Sequence, residues 1–558
     1  MPWLIGTGNA AGQNVSVLSG TVQGRDAFGK REPVPFAFVA AMGQAASTSA
    51  DQLGHFKLEA PLSFPLRLVA SAVGYANDTL FLEQPSTGIT LTLPEVIELR
   101  ATEVIERQAG TRMDLRATQG NERITAKELK RAACCDVSES FESNATVDVS
   151  YSDAVSGAKR ISMLGLDGRY VQMGMENIPF VRGLSSAYGF TLVPGPWIRE
   201  INVSKGIGTA VNGPNAMTGQ IDLCLQDPYE APPLFTNLYA NNQGRTELNV
   251  NTGQHWGKAG ANLLMVQGSM NQRDMDDNGD GFRDQPLTRR FNIMDRWLQQ
   301  KGRRTTQLIA RYVTDARDGG HTDAHRPGEG PAGRHYTVHV ANEMADVLAK
   351  NGWILRDSTK SIGILASFRN HTLSSNYGDR TYEGAQLSGY GSVVYQQLIG
   401  ARGDQMKVGA AFQYDAYHER FIDSTFARTE RMPGLFAEYT RSREKLTIVA
   451  GLRADHNSVF GTAVSPRLHA KYAISPLTAV RPSAGHAFRP ALPFVENAGV
   501  LASSRNIVVE GPLGMERSWN FGISLLHKWK WLGRKWELGI DAYRSEFTQQ
   551  VVADLDRS

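Results

Sequence analysis

At 558 residues the chain exceeds one ordinary domain, and 41% hydrophobic residues are enough to build buried cores, which excludes wholesale disorder. Lys+Arg 59 against Asp+Glu 56 leaves a formal charge of +3, without the basic excess or basic stripe of a nucleic-acid binder. Three cysteines, two of them adjacent at Cys134 and Cys135, exclude a disulfide framework, and no apolar run reaches the roughly 18 residues of a membrane-spanning helix. A β-barrel escapes that last test, because its lipid-facing and lumen-facing residues alternate.

Residues 1–17 are a candidate signal-peptide remnant: Asn9, Ala10 and Ala11 suit a cleavage site, although a positive start is missing. From 18 to 93 the apolar stretches Leu18–Val22, Phe36–Ala41, His55–Leu58, Leu66–Ala70 and Ile89–Leu93 are separated by Gly, Pro and Asp without a helical period. They predict a small β-sandwich. Gly24 to Lys30 imitates a phosphate-cradling loop, but Arg31 stands where the motif needs Ser or Thr, and Pro33 and Pro35 follow where it needs a helix. Residues 94–120 turn polar and irregular, a linker. Its β-prone patch Ala101, Thr102, Glu103, Val104, Ile105, Glu106 is either a solvated tether or a strand that can be lent to a partner's sheet edge.

Residues 121–228 read as a compact mixed α/β unit. Thr125-Ala-Lys-Glu128 is a capping box that predicts a short helix through Ala133. A second helical patch is expected at Ser138–Ser143, then strands at Val147–Tyr151, Arg160–Leu164 and Arg169–Met173. After residue 229 the chain alternates. Met406, Val408, Ala410, Phe412 and Tyr414 interleave with Lys407, Gly409, Ala411, Gln413 and Asp415. Leu446, Ile448, Ala450 and Leu452 repeat the pattern, as do Trp536, Leu538, Ile540 and Ala542. Segments of about ten such residues between turns are the signature of a transmembrane barrel wall.

Two resemblances give these segments an identity. Gly20-Thr-Val, Pro35-Phe-Ala-Phe-Val, Asp51-Gln-Leu-Gly54-His-Phe56 and Val73-Gly-Tyr75 resemble, in order, the carboxypeptidase regulatory-like domain, a sandwich whose name implies no peptidase activity. Ile198, Ile201, Val203, Lys205, Gly206, Gly213, Gly219 and Ile221 resemble the plug motif of TonB-dependent outer-membrane receptors, with Leu164 to Met173, Glu176 to Pro179 and Arg182-Gly-Leu as that family's central strands. The resemblance implies a mainly β receptor of the bacterial outer membrane, with a plug inside an antiparallel barrel embedded in lipid. It implies active uptake of a scarce nutrient and no enzymatic activity. TonB, with the ExbB/ExbD complex, would pair with the box at Ala101–Glu106, and Arg182 and Gly183 fall near the ligand face. Roughly fifteen strands are countable after residue 233 where the family implies about twenty-two, so a partial barrel and a C-terminally truncated chain are expected. The alternative is a secreted or surface β-rich ligand-binding protein that does not transport.

Two clusters are candidate metal sites. Asp274, Asp276, Asn278, Asp280 and Asp284, with the turn at Gly281, place oxygen ligands at alternate positions as a calcium loop does, but Leu287 stands where an EF-hand has its bidentate Glu. This loop follows the third wall strand and resembles the calcium-binding loop of the outer-membrane cobalamin receptor, so Ca2+ is a candidate ion although no cofactor is required. His321, His325, His335 and His339 share a second long loop, and Met173 and Met175 add thioethers, a set suited to a transition metal. Cobalamin or a metal complex is the expected ligand. Cys134 and Cys135 read as buried small residues.

Overall fold

The computed structural model describes residues 15–25, 31–42, 44, 46–72, 75, 77–94, 111–113, 118–125, 128–129, 136–141, 144–153, 155–257, 259–322, 336–400, 403–505 and 507–554. The TonB-box candidates Ala101–Glu106, the pair Cys134 and Cys135, and His325 and His335 lie outside the described residues. The chain divides into two compact units, 1–108 and 109–558.

In the first unit, Ser16–Arg25 pairs with Arg31–Pro33, His55–Ala60 and, in parallel, Thr87–Pro94. A second four-stranded sheet runs Ala46–Ser49, Phe38–Ala41, Leu66–Ser71, Asp78–Leu82. Period-two alternation turns Phe56, Leu58, Leu66, Leu68 and Ala70 inward, where they join Leu18, Val22, Leu91 and Leu93 in one core. One expectation fails locally. Phe36 is 66% exposed with a positive φ of 56°, and the strand starts at Phe38. Pro35 cannot donate to a ladder, so pairing begins only after it.

The second unit contains a single fifteen-stranded sheet from Phe235–Ala240 to Arg534–Gln549, whose neighbours in space are neighbours in sequence and all antiparallel. Among the described residues the two end strands do not pair with each other. The alternation seen in the sequence becomes two faces. Phe412, Leu435, Leu452 and Ile523 are exposed on the outside, while Asn249, Gln267, Asn292, Asp315, Asp415 and Arg453 are buried on the inside. An apolar outer band and a polar interior are what a lipid-facing wall around a protein plug requires.

Inside lies a six-stranded sheet in the order Ile178–Val181, Val171–Met175, Gly219–Leu225, Ile198–Lys205, Asn121–Thr125, Thr111–Met113, with a three-stranded sheet formed by Val147–Asp153, Ala158–Met163 and Leu166–Asp167. The spacing of the motif isoleucines has a structural cause. A register shift between Ile198 and Glu200 lets Ile198 and Ile201, three apart, face the same core as Val203 and Ile221. The helical expectations fall only partly on described residues, since 126–127, 130–135 and 142–143 lie outside them. Thr125 ends a strand, paired with Glu200, because Ile124 is taken into the core; beyond it, Glu128 and Leu129 are helical. The second patch is one 3-10 turn, Glu139–Phe141, whose first amides donate to Asp136 Oδ1. Arg169 and Tyr170 belong to another, Gly168–Tyr170, and the strand begins at Val171.

The inner unit is held by arginines of the wall that donate to its backbone carbonyls. Arg369 reaches Phe180 O and Arg311 reaches Leu192 O, while both flank the Phe180 ring, 4.6 and 5.4 Å from its centre. Arg317 donates to Gly157 O at 3.0 Å, Arg467 to Pro214 O at 3.0 Å and Arg453 to Ala210 O at 3.4 Å. Asp346 neutralises two of these at once, 3.2 Å from Arg311 and hydrogen-bonded to Arg369. Asp346→Ala therefore strands two buried guanidiniums and is expected to cost about 3–5 kcal/mol. Thermal unfolding in detergent checks this; an unchanged midpoint contradicts the account.

Candidate functional site

Three long connections, 272–286, 321–336 and 491–514, follow the third, fifth and thirteenth strands of the wall and so share one end of it. At that end a cavity of about 130 Å³ lies between the inner unit, the wall and the 3-10 segment Val495–Ala502 of the last connection. Arg160, Asp167, Arg169, Gln172, Arg182, Tyr188 and Asn215 line it from the inner unit. Tyr390, Tyr417, Glu430 and Arg489 line it from the wall, and Leu492, Val495 and Glu496 from the connection. A larger concavity, about 1200 Å³, runs along the exposed outward residues Leu238, Leu248, Met270 and Phe291 and includes the charged Arg289, Glu343, Glu383 and Arg420.

Two glycines bring the backbone to this wall. Gly183 has φ +67°, and a Cβ there would lie 2.2 Å from Gln386 Oε1, which accepts from Leu184 N at 2.9 Å. Its neighbour Arg182 donates to Asp415 and, at 2.5 Å, to Ser388 Oγ. Gly206 has φ +77° and passes Tyr543, 2.7 Å from where a Cβ would sit. Beside it Lys205 Nζ joins Glu122 at 2.9 Å to Asp541 of the wall at 2.6 Å. Lys205 and Gly206 of the family motif thus pin the inner unit to the wall, while Gly213 of the same motif lines the cavity.

Every cation at the cavity has a carboxylate beside it. Lys159 lies 3.6 Å from Glu139, Arg160 3.2 Å from Asp167, and Arg169 3.2 Å from Asp167 and 3.3 Å from Glu496. Arg489 lies 2.5 Å from Glu496 and 2.6 Å from Glu516. Burial alone would raise the Asp167 carboxyl, but Arg169 and Arg160 hold it below its usual value. Burial pushes the Tyr170 phenol up to about 12, so it stays a hydrogen-bond donor. Against this balance, Gln172 Oε1, Ser186 Oγ, Asn215 Oδ1 and Arg489 Nε have no hydrogen-bond partner among the described residues, and all four side chains line the cavity. Buried polar atoms left open beside a cavity are the capacity to bind a polar guest.

The predicted metal residues are placed differently. In the acidic loop, Asp276 accepts from Asp280 N and Gly281 N, Asp280 from Phe282 N, and Asp284 from Asp277 N. Asn278 Oδ1 also accepts from Asp280 N, and Asp274 pairs with Arg283 at 2.8 Å. His321 accepts from Tyr336 N at 2.8 Å and packs 4.2 Å from the Phe282 ring, tying this loop to the next connection. His339 Nδ1 lies 2.6 Å from Asp318 Oδ1. Met173 lines the cavity, Met175 is buried in the inner core, and among the described residues no histidine lines the cavity. Among the described residues no three of the His, Cys, Asp and Glu side chains gather into a metal cluster. Arg182 and Gly183, singled out in the sequence, line this cavity; Arg489, Glu496 and Glu516 were not singled out. The signal for them was the length of the connection 491–514 among tight turns.

The family model described as TonB dependent receptor-like, beta-barrel matches residues 227–558, and the TonB-dependent Receptor Plug Domain matches 114–220. None of the curated proteins matches the chain. Among solved structures, it is similar to Pseudomonas aeruginosa FpvA bound to pyoverdine, with TM-score 0.61, 11% identity, and 79% of this chain and 69% of that one covered. The siderophore receptor PirA from Acinetobacter baumannii gives 0.59 at 12%, covering 77% and 70%. The alcaligin outer-membrane receptor FauA from Bordetella pertussis gives 0.59 at 10%, covering 78% and 71%. At these identities the likeness is one of fold.

Proposed function

This chain belongs to the TonB-dependent receptor family of the bacterial outer membrane, receptors rather than enzymes, and we propose that its ligand is a ferric siderophore or a similar metal complex. The observation that carries the reading is the cavity over the plug, with Gln172, Ser186, Asn215 and Arg489 each holding an unpartnered polar atom beside Tyr188, Tyr390 and Tyr417. Aromatic walls with a few convergent polar groups are the usual make-up of a small-molecule site. Of the three structural relatives named above, one is bound to a pyoverdine–iron complex, one is a siderophore receptor and one an alcaligin receptor. Cobalamin is supported only by the acidic loop, so it ranks second.

The cavity, at about 130 Å³, is smaller than the roughly 300–1,000 Å³ of typical ligand pockets, so entry requires the segment Val495–Ala502 to move. Members of the family work with TonB. Thr111–Met113, inside the stretch 94–120 read as a linker, is the edge strand of the plug sheet. An upstream segment, 101–106, paired to TonB as an added strand would therefore act directly on that edge, with ExbB/ExbD supplying the energy.

Deleting residues 95–106 is expected to abolish accumulation of a radiolabelled iron chelate in cells while leaving its surface binding within about twofold. Surface binding without accumulation, in the intact and the deleted protein alike, would instead identify a binder that does not transport. For the acidic loop the proposal is a calcium ion taken from outside the cell. Millimolar Ca2+ is expected to slow amide exchange across 274–284, and replacing both Asp276 and Asp280 by Ala to erase the difference. Equal exchange in calcium and in chelator removes the ion from the account.

A further inference from the structure

The cavity already contains a carboxylate, and it belongs to the receptor. Glu496, on the connection 491–514, meets Arg489 fork to fork, with Oε1 2.5 Å from Nη1 and Oε2 2.7 Å from Nη2. Its Oε2 lies 3.3 Å from Arg169 Nη1, and its main-chain oxygen accepts from Arg169 Nη2 at 3.3 Å. Arg489 Nε, behind this fork, has no acceptor among the described residues, and Arg489 is more than nine-tenths buried.

The other members of the cluster are fixed. Glu516, 0% exposed, stands 2.6 Å from Arg489 and accepts from Tyr170 Oη at 3.0 Å and Val551 N at 3.1 Å. Asp167 accepts from Arg169 N at 2.9 Å and pairs with Arg160 and Arg169. Three guanidiniums, Arg160, Arg169 and Arg489, thus face three carboxylates, Asp167, Glu496 and Glu516. Only Glu496 stands on a connection. Both flanks of its segment are held: the Phe494 ring packs 4.3 Å from Phe426, and Arg380 donates to Ser503 O and Arg505 O. Between them the crest also buries Val495 and Leu501 in an apolar cluster with Leu184 and Tyr188, so lifting it exposes these two side chains. Withdrawing it leaves one uncompensated positive charge and an open guanidinium fork in a buried place.

We propose that Glu496 is the receptor's own stand-in for a ligand carboxylate: the seat formed by Arg169 and Arg489 takes one carboxylate from the ligand, which replaces Glu496 as the crest 495–502 lifts. The inference rests on the ferric-chelate reading for the ligand's identity, but not for the seat itself. A planar two-oxygen anion matches the fork that Glu496 now fills. Exchange of one carboxylate for another also spares the buried arginines the cost of losing their counter-charge. The ligand class is therefore an iron chelate with a free carboxylate outside the metal's coordination sphere.

Two measurements on the full chain in lipid nanodiscs test this. The first is amide exchange across 495–502 in sodium acetate and in sodium chloride of equal ionic strength. Acetate is expected to speed exchange about fivefold or more, and E496Q to reach that rate without acetate. The same rate in both salts, or an E496Q variant that exchanges like the wild type, overturns the seat. The second compares ferrioxamine B carrying an N-succinyl group, which ends in a carboxylate, with its N-acetyl counterpart. The succinyl form is expected to bind about tenfold more tightly in the wild type, and R169A to shrink that ratio to about twofold. Equal affinities overturn the proposal. If acetate loosens the crest but neither chelate binds, the seat stands and the siderophore reading fails; if both chelates bind alike and acetate does nothing, the reverse holds.

Discussion

Irregular backbone enclosed by a sheet wall has to find partners for its carbonyls, and in this receptor the wall's guanidiniums supply them. Phe180, Leu192, Gly157, Ala210 and Pro214 belong to turns and strand ends whose oxygens have no ladder to join, and each accepts from an arginine of a wall strand. The rest of the structure follows from that constraint. Inward positions of the strands must be polar, several must be charged, and the charges must be paired before they can be buried. Asp346 between Arg311 and Arg369, and Asp315 beside Arg317, do this within the wall itself. The plug is therefore seated by oriented hydrogen bonds over much of its rim, not by apolar burial alone.

The ligand end applies the same chemistry with one difference. At Arg169 and Arg489 one of the neutralising carboxylates is carried by an outer connection instead of a strand. A structural necessity, the pairing of buried cations, is there met by a residue with a way out. The other polar atoms lining the cavity, on Gln172, Ser186 and Asn215, are held by the plug and cannot follow it.

Much of this fold was legible in the sequence because its periodicities are local. Alternation at 406–415 and 446–453 reads directly as two faces of a wall, and the ordered residues from Ile198 to Ile221 name the plug. Where the reading failed, a longer-range partner had won. Tyr170, expected in a strand, belongs instead to the 3-10 turn Gly168–Tyr170, from which its hydroxyl donates to Glu516 of the wall. Phe36 lost its strand to the neighbouring proline. The register shift that aligns Ile198 with Ile201 needs the partner strand Gly219–Leu225 to be seen at all.

The sequence by itself determined the strand pattern, the family, the polar interior and the presence of long connections at one end, because each is written in residue type and spacing over a few positions. Only the tertiary structure decided the site. Arg169, Arg489, Glu496 and Glu516 lie on a plug turn, a wall strand, a connection and the next wall strand, in places where any of them alone reads as an ordinary surface charge. Their meaning comes from being buried together, where each cation needs its own counter-charge. That need is a property of the shared environment, and no single segment of the chain encodes it.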